Sequence, residues 1–173
     1  MKKYFDGSAC KEGQGVGVVL VSPSDTCFEL SSRLEYFCTN NQAEYEALLF
    51  GLEVLESIGV KHVEAFGDSL LIVQQVSGKF QCLDGSLNAY LDKCLDVISN
   101  FDEFSIHHIY RHMNSRANEL AQQASGYNVS SKNFCIIEKP MCKSVQNMEF
   151  LPILGVEIGL TGATIDLTGP AGT

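Results

Sequence analysis

The chain has 173 residues, 45% of them hydrophobic, and 12 Lys and Arg against 21 Asp and Glu, a net charge of −9. That length and apolar content support one globular domain plus an extension and exclude general disorder. No apolar run approaches the roughly 20 residues that span a bilayer, so a membrane role is not expected.

Met1-Lys2-Lys3 runs straight into Tyr4-Phe5-Asp6 without an apolar signal core, so secretion is not expected. The seven Cys have irregular spacing and no Cys-x-x-Cys pair, which reads as reduced thiols in an intracellular protein, cytoplasmic or nuclear. Residues 2–6 form a short strand ended by Gly7-Ser8. Val16 to Val21 is an apolar run of strand length, and Cys27 to Phe37 is a third strand. The Pro23-Ser24-Asp25 connection makes strands two and three an antiparallel hairpin.

A helix starts near Asn40-Asn41, residues suited to capping, and runs to about Ser57-Ile58 before Gly59. Ala47, Phe50, Gly51, Val54, Leu55 and Ile58 fill an apolar arc of about 150° on it. Glu46, Glu53 and Glu56 fall outside that arc and should face solvent, whereas Glu44 falls inside it. Lys61 to Gly67 is a fourth strand and Ser69 to Val76 a short helix. Ser86 to about Asn100 carries the helical stripe Leu87, Leu91, Cys94, Leu95 and Ile98. Phe104 to Tyr110 alternates as a fifth strand, and Asn114 to about Gly126 is a last helix striped by Ala117, Leu120, Ala121 and Ala124. The order predicts an α/β fold, a mixed sheet with helices on its faces. Residues 128–173 contain a possible strand at Phe134-Cys135-Ile136-Ile137 and then become Gly- and Thr-rich, an extension expected to be peripheral or poorly ordered.

Asp6 and Asp68 each close a strand-like run, and open α/β sheets place ligand sites at carboxyl ends of strands. Each has a bland alternative: Asp6 as an Asx turn, Asp68-Ser69 as a helix cap, Glu44 as a first-turn acid that snorkels outward. Three carboxylates that converge on one sheet edge would instead require a compensating cation. A pair of Mg²⁺ ions is the economical choice and points to phosphodiester chemistry.

Tyr4-Phe5-Asp6-Gly7-Ser8, Thr39-Asn40-Asn41-Gln42-Ala43-Glu44-Tyr45-Glu46-Ala47-Leu48, Gly67-Asp68-Ser69 and the run from Arg111-His112-Met113-Asn114 to Ala117-Asn118-Glu119-Leu120-Ala121 resemble the successive motifs of the ribonuclease H family. The resemblance is nearest to the ribonuclease H segment of plant gypsy-type LTR retrotransposon polyproteins and covers about residues 2–127, so residues 1–127 are taken as the domain. It implies a ribonuclease-H-like fold, a five-stranded mixed sheet whose first three strands are antiparallel. It also implies a reverse-transcriptase-like hydrolase that cuts the RNA strand of RNA–DNA hybrids by a two-metal mechanism. By position, Asp6, Glu44 and Asp68 match the family's first three metal-binding, catalytic carboxylates. The expected ions are Mg²⁺, with Mn²⁺ able to substitute.

The family's fourth carboxylate belongs where this chain has Asn118. An amide oxygen can still ligate Mg²⁺ but brings no charge, so the expectation is a weakened fourth ligand and reduced activity. Glu119 should point to solvent and cannot replace it. The competing reading is a catalytically silent module that keeps the fold and binds nucleic acid. A small Ca²⁺- or Mg²⁺-binding protein explains the carboxylates but not the Asn-Asn-Gln pattern. Gly7, Ser8, Asn40, Asn41, Gln42 and Ser69 are candidate contacts to the hybrid, with helix capping as the alternative for Asn40. His112 is the better-placed proton shuttle, and His108 the second candidate, although its alternation with Ile106 and Tyr110 favours a packed core histidine. A monomer is expected. The acidic balance argues for help in substrate binding from a linked reverse transcriptase.

Overall fold

The computed structural model describes residues 1–126 and the backbone of 136–139. In chain order the elements are β1 (Lys2–Cys10), β2 (Gly13–Val21), β3 (Cys27–Leu34), α1 (Asn40–Ser57), β4 (His62–Gly67), α2 (Leu70–Val76), α3 (Gly85–Ile98), β5 (Glu103–His108), a single 3₁₀ turn (Arg111–Met113), α4 (Ser115–Ser125) and β6 (Ile136–Lys139). The sheet order is β5-β4-β1-β2-β3-β6. β1, β2 and β3 form an antiparallel meander, while β4 and β5 join it in parallel. β1 to β5 thus form the five-stranded mixed sheet that the resemblance implies. β6 pairs in parallel with the outer edge of β3 and overlaps the strand expected at Phe134–Ile137. The rest of the expected C-terminal extension lies outside the described residues. Among the described residues, no helix is long and apolar enough to cross a membrane.

The main core lies between one sheet face and α1, α2 and α3, with Phe5, Val18, Tyr45, Leu48, Leu52 and Leu55 at its centre. On the other face α4 seals a smaller cluster of Val19, Ala117 and Leu120. Two glycines set how closely the helices approach. A Cβ built at Gly7 would lie 2.2 Å from the Ala43 carbonyl carbon of α1, and one at Gly17 would lie 2.1 Å from the Ala117 carbonyl oxygen of α4. These two close approaches bring Glu44 and Asn118, the residues after Ala43 and Ala117, down onto opposite faces of β1 and β2.

Several local expectations are corrected. Thr39 caps α1 instead of Asn40 or Asn41: its side chain accepts the Gln42 N–H at 3.2 Å, and Gln42 Oε1 accepts the Thr39 N–H at 2.9 Å. That reciprocal cap contributes about 1 kcal/mol. β3 ends at Leu34, three residues before Phe37. Glu46 and Glu53 are buried, because α1 is covered by the sheet on one side and by α3 on the other. The Tyr90 hydroxyl of α3 donates to Glu46 Oε1 at 2.9 Å. Only Glu56 of the three remains exposed, accepting from Asn100 Nδ2 at 2.7 Å. His108 is exposed, not packed, because β5 is an edge strand.

Candidate active site

β1 pairs with β4 only over Lys2 to Tyr4, then outruns it. Asp6 is therefore not at a strand end. It sits mid-strand, where β1 has lost its parallel neighbour but still pairs with β2 through Gly17. Continuing the β1–β4 register by two residues sets Asp6 beside Asp68, the first residue beyond β4. Glu44 reaches the same point from the first turns of α1. The carboxylate oxygens of Asp6, Glu44 and Asp68 lie within 4.8 Å of one another.

Asp6 is 3% and Glu44 7% exposed. Burial raises the Asp6 carboxyl to about 7; the nearby Asp68 charge adds to the rise, while a hydrogen bond with Glu44 and the Arg111 guanidinium oppose it. Glu44 is pushed up as well, chiefly by burial and then by the Asp6 charge, against a smaller opposing contribution from the Gly7 backbone N–H. Glu44 Oε2 is buried and has no hydrogen-bond partner. A buried carboxylate oxygen without a donor, on a side chain clustered with two further carboxylates, is costly to hold ionised without a cation. The donor set is all hard oxygen, as Mg²⁺ or Mn²⁺ prefers. The residues present therefore fit a divalent ion.

An open cleft of about 410 Å³ surrounds the triad. Its walls are Gly7, Ser8, Ala9 and Cys10 of β1, Asn40 and Asn41 of α1, Ser69 after Asp68, Arg111, and Asn118 and Gln122 of α4. Asn118 faces the carboxylates and is 8% exposed, whereas Glu119 points outward and accepts from Arg116 Nη1 at 2.9 Å.

Of the candidate hybrid contacts, Gly7, Ser8, Asn40, Asn41 and Ser69 line the cleft. Asn40 also accepts the Ala9 N–H through Oδ1 at 3.3 Å, so it is held while its amide nitrogen stays available. Gln42 does not line the cleft; its amide serves the α1 cap and reaches Ser86 Oγ at 3.4 Å. His112 lies on the 3₁₀ turn with its ring stacked 5.8 Å from Tyr110, and His108 sits edge-on to Tyr110 at 6.2 Å. Neither histidine lines the cleft.

Three contributors escaped the reading of the sequence. Arg111 is the one cation among the lining residues, and Gln122 lies one turn beyond Asn118 on α4. Asn114, buried behind the cleft, donates from Nδ2 to the Phe5 carbonyl at 2.9 Å and to Asp68 Oδ1 at 3.0 Å. Its position immediately before α4, a capping position, was the only local signal.

A family model described as "Reverse transcriptase-like" matches residues 4–124. The chain is 36% identical over 124 residues to a protein named Ribonuclease HI from Halobacterium salinarum, covering 70% of this chain and 62% of the relative. It is 36% identical over 96 residues to the uncharacterized protein YpeP of Bacillus subtilis, covering 52% of this chain and 42% of that one. The chain thus spans less than two thirds of these curated relatives. The crystal structure of RNase H1 from Halobacterium salinarum NRC-1 superposes with a TM-score of 0.69 at 34% identity, over 73% of this chain and 98% of that one. LC11-RNase H1, solved in complex with an RNA/DNA hybrid, gives 0.67 at 31% identity, over 75% and 99%.

Proposed function

The chain belongs to the ribonuclease H family, and from that premise we propose that it is a metal-dependent endonuclease that hydrolyses the RNA strand of RNA–DNA hybrids. The observation that carries the reading is the convergence of Asp6, Glu44 and Asp68 within 4.8 Å, with Glu44 Oε2 buried and unmatched. Hybrid-bound LC11-RNase H1 and the Ribonuclease HI relative support the same substrate.

In this reading Asp6, Glu44 and Asp68 hold Mg²⁺ or Mn²⁺, and Asn118 adds a neutral amide oxygen. Two such ions, when bound, would supply an activated water and neutralise charge on the leaving 3′ oxygen. The cleft's own groups bind and orient the substrate. Arg111 offers a guanidinium to a phosphate, and Asn40 and Asn41 offer amides to sugar hydroxyls across the minor groove, where shape and 2′-hydroxyls are read instead of base sequence. Ser8 and Ser69 add hydroxyl donors. A single lining cation gives little phosphate affinity, so we assign part of substrate capture to a linked reverse transcriptase in a retroelement polyprotein. The reverse-transcriptase-like family match supports that setting.

The second reading, a silent binding module, is favoured by one feature, the neutral Asn118. End-labelled hybrid, duplex DNA and duplex RNA incubated with Mg²⁺, Mn²⁺ or EDTA separate the two. Metal-dependent loss of the hybrid's RNA strand alone supports the nuclease. No cleavage of any strand, even by Asn118→Asp, establishes the silent module.

A further inference from the structure

Asn114 joins every element of the cleft except α1. It is 1% exposed. Its two amide hydrogens are both used, one on the carbonyl of Phe5 and one on Asp68 Oδ1. Phe5 is the residue before Asp6, so one planar amide spans the backbone that carries the first carboxylate and the side chain of the third. The main chain of Asn114 extends the connection. Its carbonyl accepts the Asn118 N–H at 3.1 Å, and its N–H donates to the Arg111 carbonyl at 3.0 Å. The amide's orientation is forced, because both partners of Nδ2 are acceptors. Asn114 Oδ1 is left buried and without a partner. A side chain kept for packing alone would not retain an unmatched buried acceptor, since an apolar residue of similar volume avoids it. What only the amide supplies is two donors in a fixed plane.

We propose that Asn114 is a positioning residue that sets the spacing and orientation of Asp6 and Asp68 for divalent-ion binding. This rests on the metal-site reading above. Outer partners of metal-holding carboxylates change metal affinity or activity by roughly 10- to 100-fold when removed. Asn114→Ala should therefore raise the Mn²⁺ dissociation constant about 10-fold or more by calorimetry. The Mg²⁺ midpoint for hybrid cleavage should rise in parallel, with KM for the hybrid changed less than about 3-fold. Excess metal should restore part of kcat, which a general loss of folded protein would not allow.

Wild-type protein that binds no Mn²⁺ would remove the metal-site reading itself. Wild-type binding that Asn114→Ala leaves unchanged, in a protein with native far-UV circular dichroism, would overturn the positioning role alone. If Asn114→Ala does not fold, Asn114→Ser, which keeps one donor, takes its place with a smaller expected shift. A double-mutant cycle with Asp68→Asn supplies the remaining check. The effect of Asn114 substitution on Mn²⁺ affinity should shrink once Asp68 has lost its charge, leaving the share carried through the Phe5 carbonyl, and a full additive effect would overturn the proposal.

Discussion

Asn118→Asp tests the electrostatics of the cleft most directly. Asn118 lines the cleft beside Asp6, Glu44 and Asp68 and is 8% exposed, so a carboxylate there would be shielded from bulk water. Unit charges about 4 Å apart at an effective dielectric near 20 interact by about 4 kcal/mol. A new carboxylate therefore attracts one divalent ion by about 8 kcal/mol before costs. Repulsion from three carboxylates at about 6 Å, each about 3 kcal/mol, offsets all of that gain when one ion is present. A second ion tips the balance. After carboxylate desolvation and repulsion between the two ions take up most of the second ion's attraction, the net expectation is about 1–3 kcal/mol in favour of the doubly loaded site, or roughly 5- to 150-fold in the metal midpoint. Metal-free Asn118→Asp should melt lower than the natural chain, and saturating Mg²⁺ should reverse the order. The assay is hybrid cleavage against Mg²⁺ concentration, with melting followed in EDTA and in Mg²⁺. An unchanged Mg²⁺ midpoint together with unchanged melting in EDTA would refute the reasoning, because it would place residue 118 outside the field of the three carboxylates.

The raised Asp6 carboxyl fixes a pH dependence. Its folded value of about 7 lies above the ordinary 3.8, so the folded state holds a proton that the unfolded chain has released between those values. The resulting stabilisation is full below about pH 4 and is lost by the time pH has risen through about 7, so melting in EDTA should fall between about pH 4 and about pH 7. Mg²⁺ should restore it at the upper end, and a melting temperature in EDTA that climbs across this window would contradict the assignment. Gly17→Ala pushes a methyl group against the Ala117 carbonyl oxygen of α4 and should cost about 1–3 kcal/mol in urea unfolding, with α4 displaced and activity reduced. Arg111→Ala should raise KM for the hybrid and shallow the salt dependence of binding by about one unit of slope, read by fluorescence anisotropy in Ca²⁺. An unaltered slope would show that Arg111 does not meet a phosphate.

What the sequence disclosed and what it hid divide along the range of the interactions involved. The meander, the helix order and the strand-end position of Asp68 follow from periodicity and turn residues a few positions apart. Glu44 stood out because a carboxylate inside an apolar arc violates a local pattern. Glu46 and Glu53 did not, because the arc assumes that a helix has one buried face. α1 has two, and the second is made by α3, some forty residues later in the chain at Tyr90. His108 failed in the opposite direction: alternation along a strand identifies its two faces but not that the strand is an unshielded sheet edge. Asn114 was the least legible. Its hydrogen bond to the Phe5 carbonyl joins residues 109 apart, and no local pattern distinguishes a cap from a strut.

The acidic balance of the chain and the chemistry assigned to it can be reconciled through where the charges lie. A net charge of −9 repels a polyanion at long range, yet Debye screening confines that repulsion to about 8 Å at physiological salt. Inside the cleft the lining includes four neutral amides and two hydroxyls, with Arg111 as the one lining cation beside the three carboxylates. Bound divalent ions would turn the triad from the most repulsive point for a phosphate into the most attractive one. Substrate affinity should then depend on the ions more steeply than in a basic nuclease, where lysines hold the hybrid with or without metal. On the proposed reading Asn118 would sharpen this dependence, since a neutral ligand would leave a doubly loaded state weaker and would make the ion count, more than the protein's own charge, the quantity that decides whether a hybrid stays.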